Sequence, residues 1–443
     1  MAATRLYLDW NATAPLHPAA RDAMLRAMDI QGNPNSVHGE GRAARAAVEA
    51  ARRQVASLTG AEPAHVVFTS GATEAANMVL TPEFRMGRTP LAVSHLYISA
   101  IEHPAVREGG RFSKDRISEI PVTADGMVDL AALETMLAAH DKASGLPMVA
   151  VMLANNETGI LQPVAEAAQI VQAVGGLFVV DAVQAAGRVP IDINAIGADF
   201  LILSSHKISG PKGAGALVSR GEVLMPKPLI HGGGQEKGHR SGTENTLAII
   251  GFGAAAEAAL AGLDDRNAGI AAWRDRLEEG MQLAAPDVII HGKGGARVPN
   301  TSFFTLPGLK SETGQIAFDL EGVAISAGSA CSSGKVGESH VLMAMGCDPK
   351  LGALRISLGS TTSVEDIDRA IAAFARIAGR RNLLARGSLL ALDNQVNTST
   401  GTINVKARFE GAGKRRFSAR PASCWRWPTR ENSGWRCWPC TGN

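Results

Sequence analysis

Lys207 follows the apolar run ADFLILSS (198–205) and precedes the glycine-rich ISGPKGAGAL. A lysine is usually a solvated surface group. Between a buried run and a tight turn, its stem has less freedom to reach water. A desolvated amine has a lowered pKa and can form a Schiff base. Asp181 ends the run GLFVV, and Gln184 stands three residues on. A carboxylate there is often a turn or cap residue, and gains chemical meaning when a cationic or protonated group lies opposite. After HVVFTS (65–70), GATEAANMVL opens a helix directly from a glycine turn. Free N–H groups and the helix dipole would let Ser70, Ala72 and Thr73 hold a phosphate; alternatively, Thr73 simply caps the helix. Cys331 lies in ISAGSACSSGK (325–335), where Gly, Ser and Ala supply little bulk to pack a thiol.

Three of these features meet the needs of one cofactor. Pyridoxal 5'-phosphate requires a lysine for its aldehyde and an anion site for its phosphate. It also requires an acid that keeps the pyridine nitrogen protonated, so that the ring acts as an electron sink. His103, in EHPAV after LYISAI, could stack on the ring or serve as a structural histidine.

These residues need elements to position them. From about residue 60 to 220 the apolar runs HVVFTS, LYISA, MVAVMLA, GLFVVDA, ADFLILSS and GAGALVS alternate with helical patterns such as ATEAANMVL and PVAEAAQIVQAV. That alternation predicts an α/β fold with a mainly parallel, doubly wound sheet, whose ligands bind at the carboxyl ends of its strands. Residues 265–384 run from the helical AAWRDRLEEGMQLAA through TSFFTL and ALRISLG to a final helix, SVEDIDRAIAAFARIAGRRNLL. They predict a smaller α+β domain.

Composition is ordinary for a globular chain, at 45% hydrophobic and 19% charged residues, and a net charge of +2 argues for neither nucleic acid nor membrane. The charge is uneven. Residues 386–443 hold ten Lys/Arg against three Asp/Glu, leaving 34 basic and 39 acidic residues in the rest. The opening MAATRLYLDW has no apolar stretch and predicts no secretory leader. LAIIGFGAAAEAALAGL contains Glu257 and reads as a buried helix. Outside the last 58 residues only Cys331 and Cys347 occur, so a reducing cytoplasm is expected. CWPC (437–440) has CxxC spacing, but no second ligand pair accompanies it.

Ten stretches in order over about residues 5–384 resemble the cysteine desulfurases, the NifS/IscS-like branch of the class V aminotransferase family. They are YLDWNATAP (7–15), NPNSVHGEGR (33–42), FTSGATEAAN (68–77), EHPAV (102–106), NNETG (155–159), VDAVQAAG (180–187), SSHKISGPKG (204–213), RSGTENT (240–246), SAGSACSSGK (326–335) and LRISLG (354–359). The resemblance implies a fold-type I PLP-dependent transferase, with a mainly parallel seven-stranded sheet flanked by helices and a smaller α+β domain. A large PLP-binding domain would span 15–260. Residues 1–14 with 261–385 would form the smaller one, carrying a mobile Cys loop at about 326–340. Residues 386–443 match nothing in the family, and stand apart as a disordered or out-of-frame tail.

By the same resemblance, Lys207 is the Schiff-base lysine, Asp181 the partner of the pyridinium nitrogen and Gln184 a donor to the ring hydroxyl. His103 stacks on the ring and assists proton transfer. Ala72, Thr73, Ser204 and His206 hold the phosphate, and Thr243 reaches the phosphate of the neighbouring subunit in a homodimer. Asn156 and Arg355 bind the substrate carboxylate, Asn156 also touching the cofactor. The implied reaction takes sulfur from L-cysteine: a Cys331 thiolate attacks the substrate sulfur, leaving a persulfide on Cys331 and releasing L-alanine. An iron–sulfur scaffold or another acceptor protein receives the sulfur, and Cys331 serves at most as a transient iron–sulfur ligand shared with it. Selenocysteine lyase, or another class V enzyme, is the alternative within the family. A catalytically silent scaffold-binding member is the non-enzymatic one, which intact Lys207, Asp181 and Cys331 argue against.

Overall fold

The computed structural model describes residues 5–328, 338–348 and 351–380, and the backbone of three strands beyond them. Strand β1 (Leu6–Tyr7) leads into helices α1 (Pro18–Ala27) and α2 (Gly39–Thr59). Then come β2 (Val66–Thr69), α3 (Ala72–Val79), β3 (Glu83–Met86), β4 (Thr89–Ser99), α4 (Pro104–Arg107), β5 (Ile117–Ile120) and α5 (Leu130–Ala138). The alternation continues with β6 (Leu146–Met152), α6 (Val164–Ala173), β7 (Leu177–Asp181), α7 (Ile193–Ile196), β8 (Phe200–Ser204), β9 (Gly215–Ser219) and β10 (Leu224–Pro226). Two long helices follow, α8 (Thr246–Leu260) and α9 (Leu263–Ala284). The last third holds β11 (Ile289–Ile290), β12 (Thr301–Thr305), α10 (Ser311–Leu320), β13 (Val323–Ala324), β14 (Ser326–Ala327), α11 (His340–Ala344), β15 (Leu354–Ser357) and α12 (Val364–Arg380).

The expected seven strands are present in the order β5-β4-β6-β7-β8-β9-β2, parallel from β5 to β8 and antiparallel around β9. Strand β3 pairs antiparallel with the first residues of β4, and β10 pairs antiparallel with β3, extending the sheet to nine. At four and three residues, these strands are too short to carry a periodic signal. Every residue of β7, β8 and β9 is buried. Helices cover both faces of such a sheet, so its strands read as unbroken apolar runs rather than alternating ones. One core lies between the sheet and a face bearing α2 and α8, with Val48, Val55 and Phe252 against Val149, Phe178 and Leu201. The other packs Met78 and Leu80 against Ile98, Met148 and Phe200.

A separate core surrounds the four-stranded antiparallel sheet β11-β12-β15-β14. Helix α12 faces it with Ile367, Ala370, Ala373, Phe374 and Ile377, the spacing of one helical stripe. Strand β1 pairs in parallel with β13, which puts Leu6 and Leu8 into this core. In the C-terminal tail, β16 (Arg386–Leu392), β17 (Val405–Phe409) and β18 (Trp435–Arg436) form one antiparallel sheet. Among the described residues, no single helix is long and apolar enough to cross a membrane.

Register brings the candidate site together. Thr69 and Ser204 both pair with Gly215, and Asp181 pairs with Met152 on one side and Ile202 on the other. A Cβ on Gly215 would lie 2.6 Å from the Gly71 backbone and 2.7 Å from Leu203 O. Only glycine lets the turn after β2 close down on β9.

Candidate active site

The turn after β2 enters α3 through Gly71, and no side chain caps that helix. Thr73 therefore is not the cap; it sits in the first turn, where its carbonyl accepts from Asn77 Nδ2 at 2.9 Å. A Cβ at Gly71 would meet nothing within 4 Å, so the N-terminal amides of α3 open onto free space. Glu74 accepts the Ser70 N–H at 2.9 Å and the Arg240 Nε–H at 2.8 Å. Burial alone would raise the Glu74 carboxyl, but these donors hold it below its ordinary value.

Lys207 closes the short turn Ser205–Lys207 after β8, and its Nζ donates to Asn11 O at 2.5 Å and Ala12 O at 2.9 Å. Asp181 ends β7, and its Oδ1 accepts the Val183 N–H at 2.9 Å. Burial pushes it up to about 6, against the pull of Val183 and the Lys207 charge. Behind it, buried Glu102 accepts the Met152 N–H at 2.7 Å, and burial with the Asp181 charge puts it well above the usual carboxylate range. His103 caps α4, its Nδ1 accepting the Ala105 N–H at 3.1 Å, which leaves Nε2 to carry the ring hydrogen. Burial, then the Lys207 charge and His340, lower it to about 4. His206 contacts Thr13 Oγ1 at 3.2 Å and is lowered to about 4 by burial, Lys207 and Lys212.

One cavity of about 550 Å³ is lined by Ala72, Thr73, His103, Asn156, Asp181, Gln184, Ser204, His206 and Lys207. Nine of the expected site residues from separate stretches of the chain thus face a single space. An amine, a buried acid, an uncapped helix end and a neutral imidazole together form a donor set suited in kind to pyridoxal phosphate. Comparison with known proteins gives the family. The aminotransferase class-V family model matches residues 6–370. A cysteine desulfurase from Sinorhizobium fredii is 41% identical over 379 residues, 83% of this chain and 94% of that protein. An IscS-like cysteine desulfurase from Mycobacterium tuberculosis is 37% identical over 82% of this chain and 94% of its own. The chain belongs to the class-V aminotransferase family, in its cysteine desulfurase branch.

The crystal structure of a NifS-like protein from Rickettsia africae superposes on this desulfurase with a TM-score of 0.76, at 36% identity, over 85% of this chain and 99% of that one. A second, shorter match, to the beta-barrel domain of RND MFPs, covers residues 363–415 and so takes in the whole of α12.

Two expected residues of the desulfurase, Arg355 and Thr243, do not line the cavity. Arg355 lies on β15, buried, donating to Asn156 O at 2.7 Å and to Asp9 Oδ1 at 2.9 Å. It reaches the cavity wall through Asn156. Thr243 is exposed in the segment between β10 and α8. Cys331 falls outside the described residues, as does most of the stretch around it. Its flanks are described: Gly328 N–H donates to Ala353 O at 3.0 Å, and Ser339 Oγ donates to Glu157 Oε2 at 2.6 Å. Burial pushes Glu157 up to about 7.

Several residues escaped the sequence reading. Asn11 and Ala12 hold the amine by their carbonyls, which no side-chain type announces. Asp9, Glu157 and Arg188 lay inside or beside recognised motifs, but only folding shows what they touch.

The His103 geometry makes a prediction. In the apoprotein its ring should titrate near 4, against an ordinary value near 6.5, when followed by its long-range nitrogen–proton correlations. The unfolded chain takes up that proton near 6.5 and the folded one near 4, so acidification through this window withdraws the ring's contribution to stability. Lys207→Ala should raise the value, because one of its causes is removed. A ring titrating at its ordinary value would mean that His103 is solvated.

Proposed function

We propose that this desulfurase acts on L-cysteine with pyridoxal 5'-phosphate, releasing L-alanine and leaving a persulfide on Cys331 for iron–sulfur cluster assembly or other thio-transfer. The observation that carries this reading is the cavity shared by Lys207, Asp181, His103 and the uncapped α3. Lys207 would bind the cofactor aldehyde, and Asp181 its ring nitrogen. Gln184 would donate to the ring oxygen, and His103 would lie against the ring. Ala72, Thr73, Ser204 and His206 would hold the phosphate. When bound, the cofactor supplies an electron sink for negative charge at the substrate Cα.

The chain's own groups do the rest. The Lys207 amine, once released, moves the Cα proton. Asn156 and Arg355 would receive the substrate carboxylate: Asn156 lines the cavity, and Arg355, at 2.7 Å from the Asn156 carbonyl behind it, supplies a planar guanidinium of the type that suits a carboxylate. The Cys331 thiolate attacks the substrate sulfur. The substrate C–S bond breaks and its electron pair stays with Cβ, which takes a proton and becomes the methyl group of alanine. A thiol of ordinary pKa is mostly protonated at neutral pH, so nearby positive charge has to favour the thiolate.

A homodimer fits the exposed position of Thr243, whose hydroxyl would complete the neighbour's phosphate site. We place the enzyme in the cytoplasm, where Cys331 stays reduced, and assign the sulfur to an acceptor protein that Cys331 meets directly. Alanine and sulfide release from L-cysteine by the wild type and Cys331→Ala tests this reading. The variant should keep the cofactor's visible absorbance and lose persulfide transfer. Desulfuration by Cys331→Ala at the wild-type rate would sink the proposed nucleophile.

A further inference from the structure

Arg188 is buried directly after Gly187, whose φ of 71° turns the chain back under the site. Among the described residues its environment offers no compensating carboxylate; burial and the positive charge of Arg355 both act on it, lowering it to about 9. A buried cation without a counter-charge costs stability, so its use lies elsewhere. Its Nη1 donates to Gln184 Oε1 at 2.5 Å and to Gln184 O at 2.7 Å. Gln184 Nε2 in turn donates to Asn11 O at 3.1 Å, the same carbonyl that takes the Lys207 amine. Asn267 Nδ2 donates to Arg188 O at 2.8 Å and fixes the backbone of the arrangement.

The chemistry of the groups decides the orientation of the amide. A guanidinium carries donors only, whereas a glutamine amide has one acceptor end and one donor end. Facing Arg188, Gln184 can present only its oxygen. Its NH₂ is thereby turned the other way, with one hydrogen on Asn11 O and the second left for the cavity that Gln184 lines. Asn11 O favours the same orientation more weakly, through one 3.1 Å contact, since a half-turn would set oxygen against that carbonyl; without Arg188 the shorter of the two constraints on the amide is lost.

We propose that Arg188 is a positioning residue that locks the Gln184 amide with its NH₂ toward the cavity, so that Gln184 can only donate to the ring oxygen of the bound cofactor. The proposal rests on the reading of Gln184 given above, and adds the residue that makes its role obligatory. A donor to that oxygen stabilises negative charge there and lowers the proton affinity of the bound cofactor; losing the donor raises it.

The test is a pH titration of the visible absorbance of the holoenzyme without substrate. Arg188→Met keeps apolar bulk and removes the donors. It should raise the midpoint by about one pH unit, a tenfold change in proton affinity. Arg188→Lys, which retains a donor, should stay near the wild type. Gln184→Leu should shift the midpoint as Arg188→Met does, and the double variant should shift it no further, since both act through one group. An Arg188→Met midpoint equal to the wild type's, or additive shifts in the double variant, overturns the proposal. If the wild type bound to pyridoxal phosphate shows no lysine-linked band at all, the cofactor reading itself fails, and this proposal with it.

Discussion

Replacing Lys207 by alanine is expected to abolish the lysine-linked absorbance band and to lower kcat/KM for L-cysteine by about 10³-fold or more, the scale on which a positioned proton-transfer group contributes. The amine is seated between two backbone carbonyls, Asn11 O at 2.5 Å and Ala12 O at 2.9 Å. These acceptors hold it at one place on the cavity wall, and no other lysine of the lining substitutes for it. Lys212, the other one there, lies beyond the turn that contains Gly210 and Pro211. A Lys207→Arg variant would keep the charge and the donors without a nucleophilic amine, so it should also lack the band. Spectra of the reconstituted variants and initial rates of alanine formation give the answer. A Lys207→Ala protein with the wild-type spectrum would remove Lys207 from the site.

Glu236→Ala is expected to destabilise the protein by about 3–5 kcal/mol, the penalty for stranding one member of a buried ion pair. Glu236 accepts from both terminal nitrogens of Arg52, at 2.7 and 2.8 Å, and from the Phe68 N–H at 2.9 Å. Arg52 stands 4.8 Å over the Phe68 ring and donates to Val66 O at 2.7 Å. The pair therefore ties the segment carrying Thr243 to β2, the strand that ends at the turn into α3. Glu236 pays for this with a left-handed backbone, φ 48°, that side chains other than glycine rarely adopt. Denaturant unfolding of the holoenzyme, followed by circular dichroism, measures the loss. Glu236→Gln keeps the shape and an acceptor for Phe68, so it should cost less than the alanine. A loss below about 1 kcal/mol for Glu236→Ala would show that the pair is solvated.

The sheet was legible because burial on both faces writes each central strand as one unbroken apolar run, as in FLILS and LFVVD. The same logic hid β3 and β10, whose EFRM and LMP carry too few apolar positions to stand out. Lys207, Asp181 and the turn before α3 could be found because ligands gather at strand ends, where a reactive side chain is conspicuous. The partners of these residues could not. Asn11 acts through its carbonyl, an atom every residue owns. Asp9 meets Arg355 across 346 positions of chain, and Arg52 meets Glu236 across 184. Such distances leave no local pattern. Thr73 shows the opposite failure, since its type suits a cap but glycine took that place.

The seat of Lys207 depends on both ends of the chain's folded body. Asn11 and Ala12 follow β1, and β1 is held by β13, by the pairing of Asp9 with Ser357 and by the Asp9–Arg355 ion pair. During synthesis, residues 6–12 and Lys207 leave the ribosome long before residues 323–357 that fix β1. The central sheet can form while translation continues, yet the amine has no settled acceptors until the last third arrives. The seat of the Lys207 amine is thus completed late in the making of each chain, by residues that stand more than a hundred positions after the lysine itself.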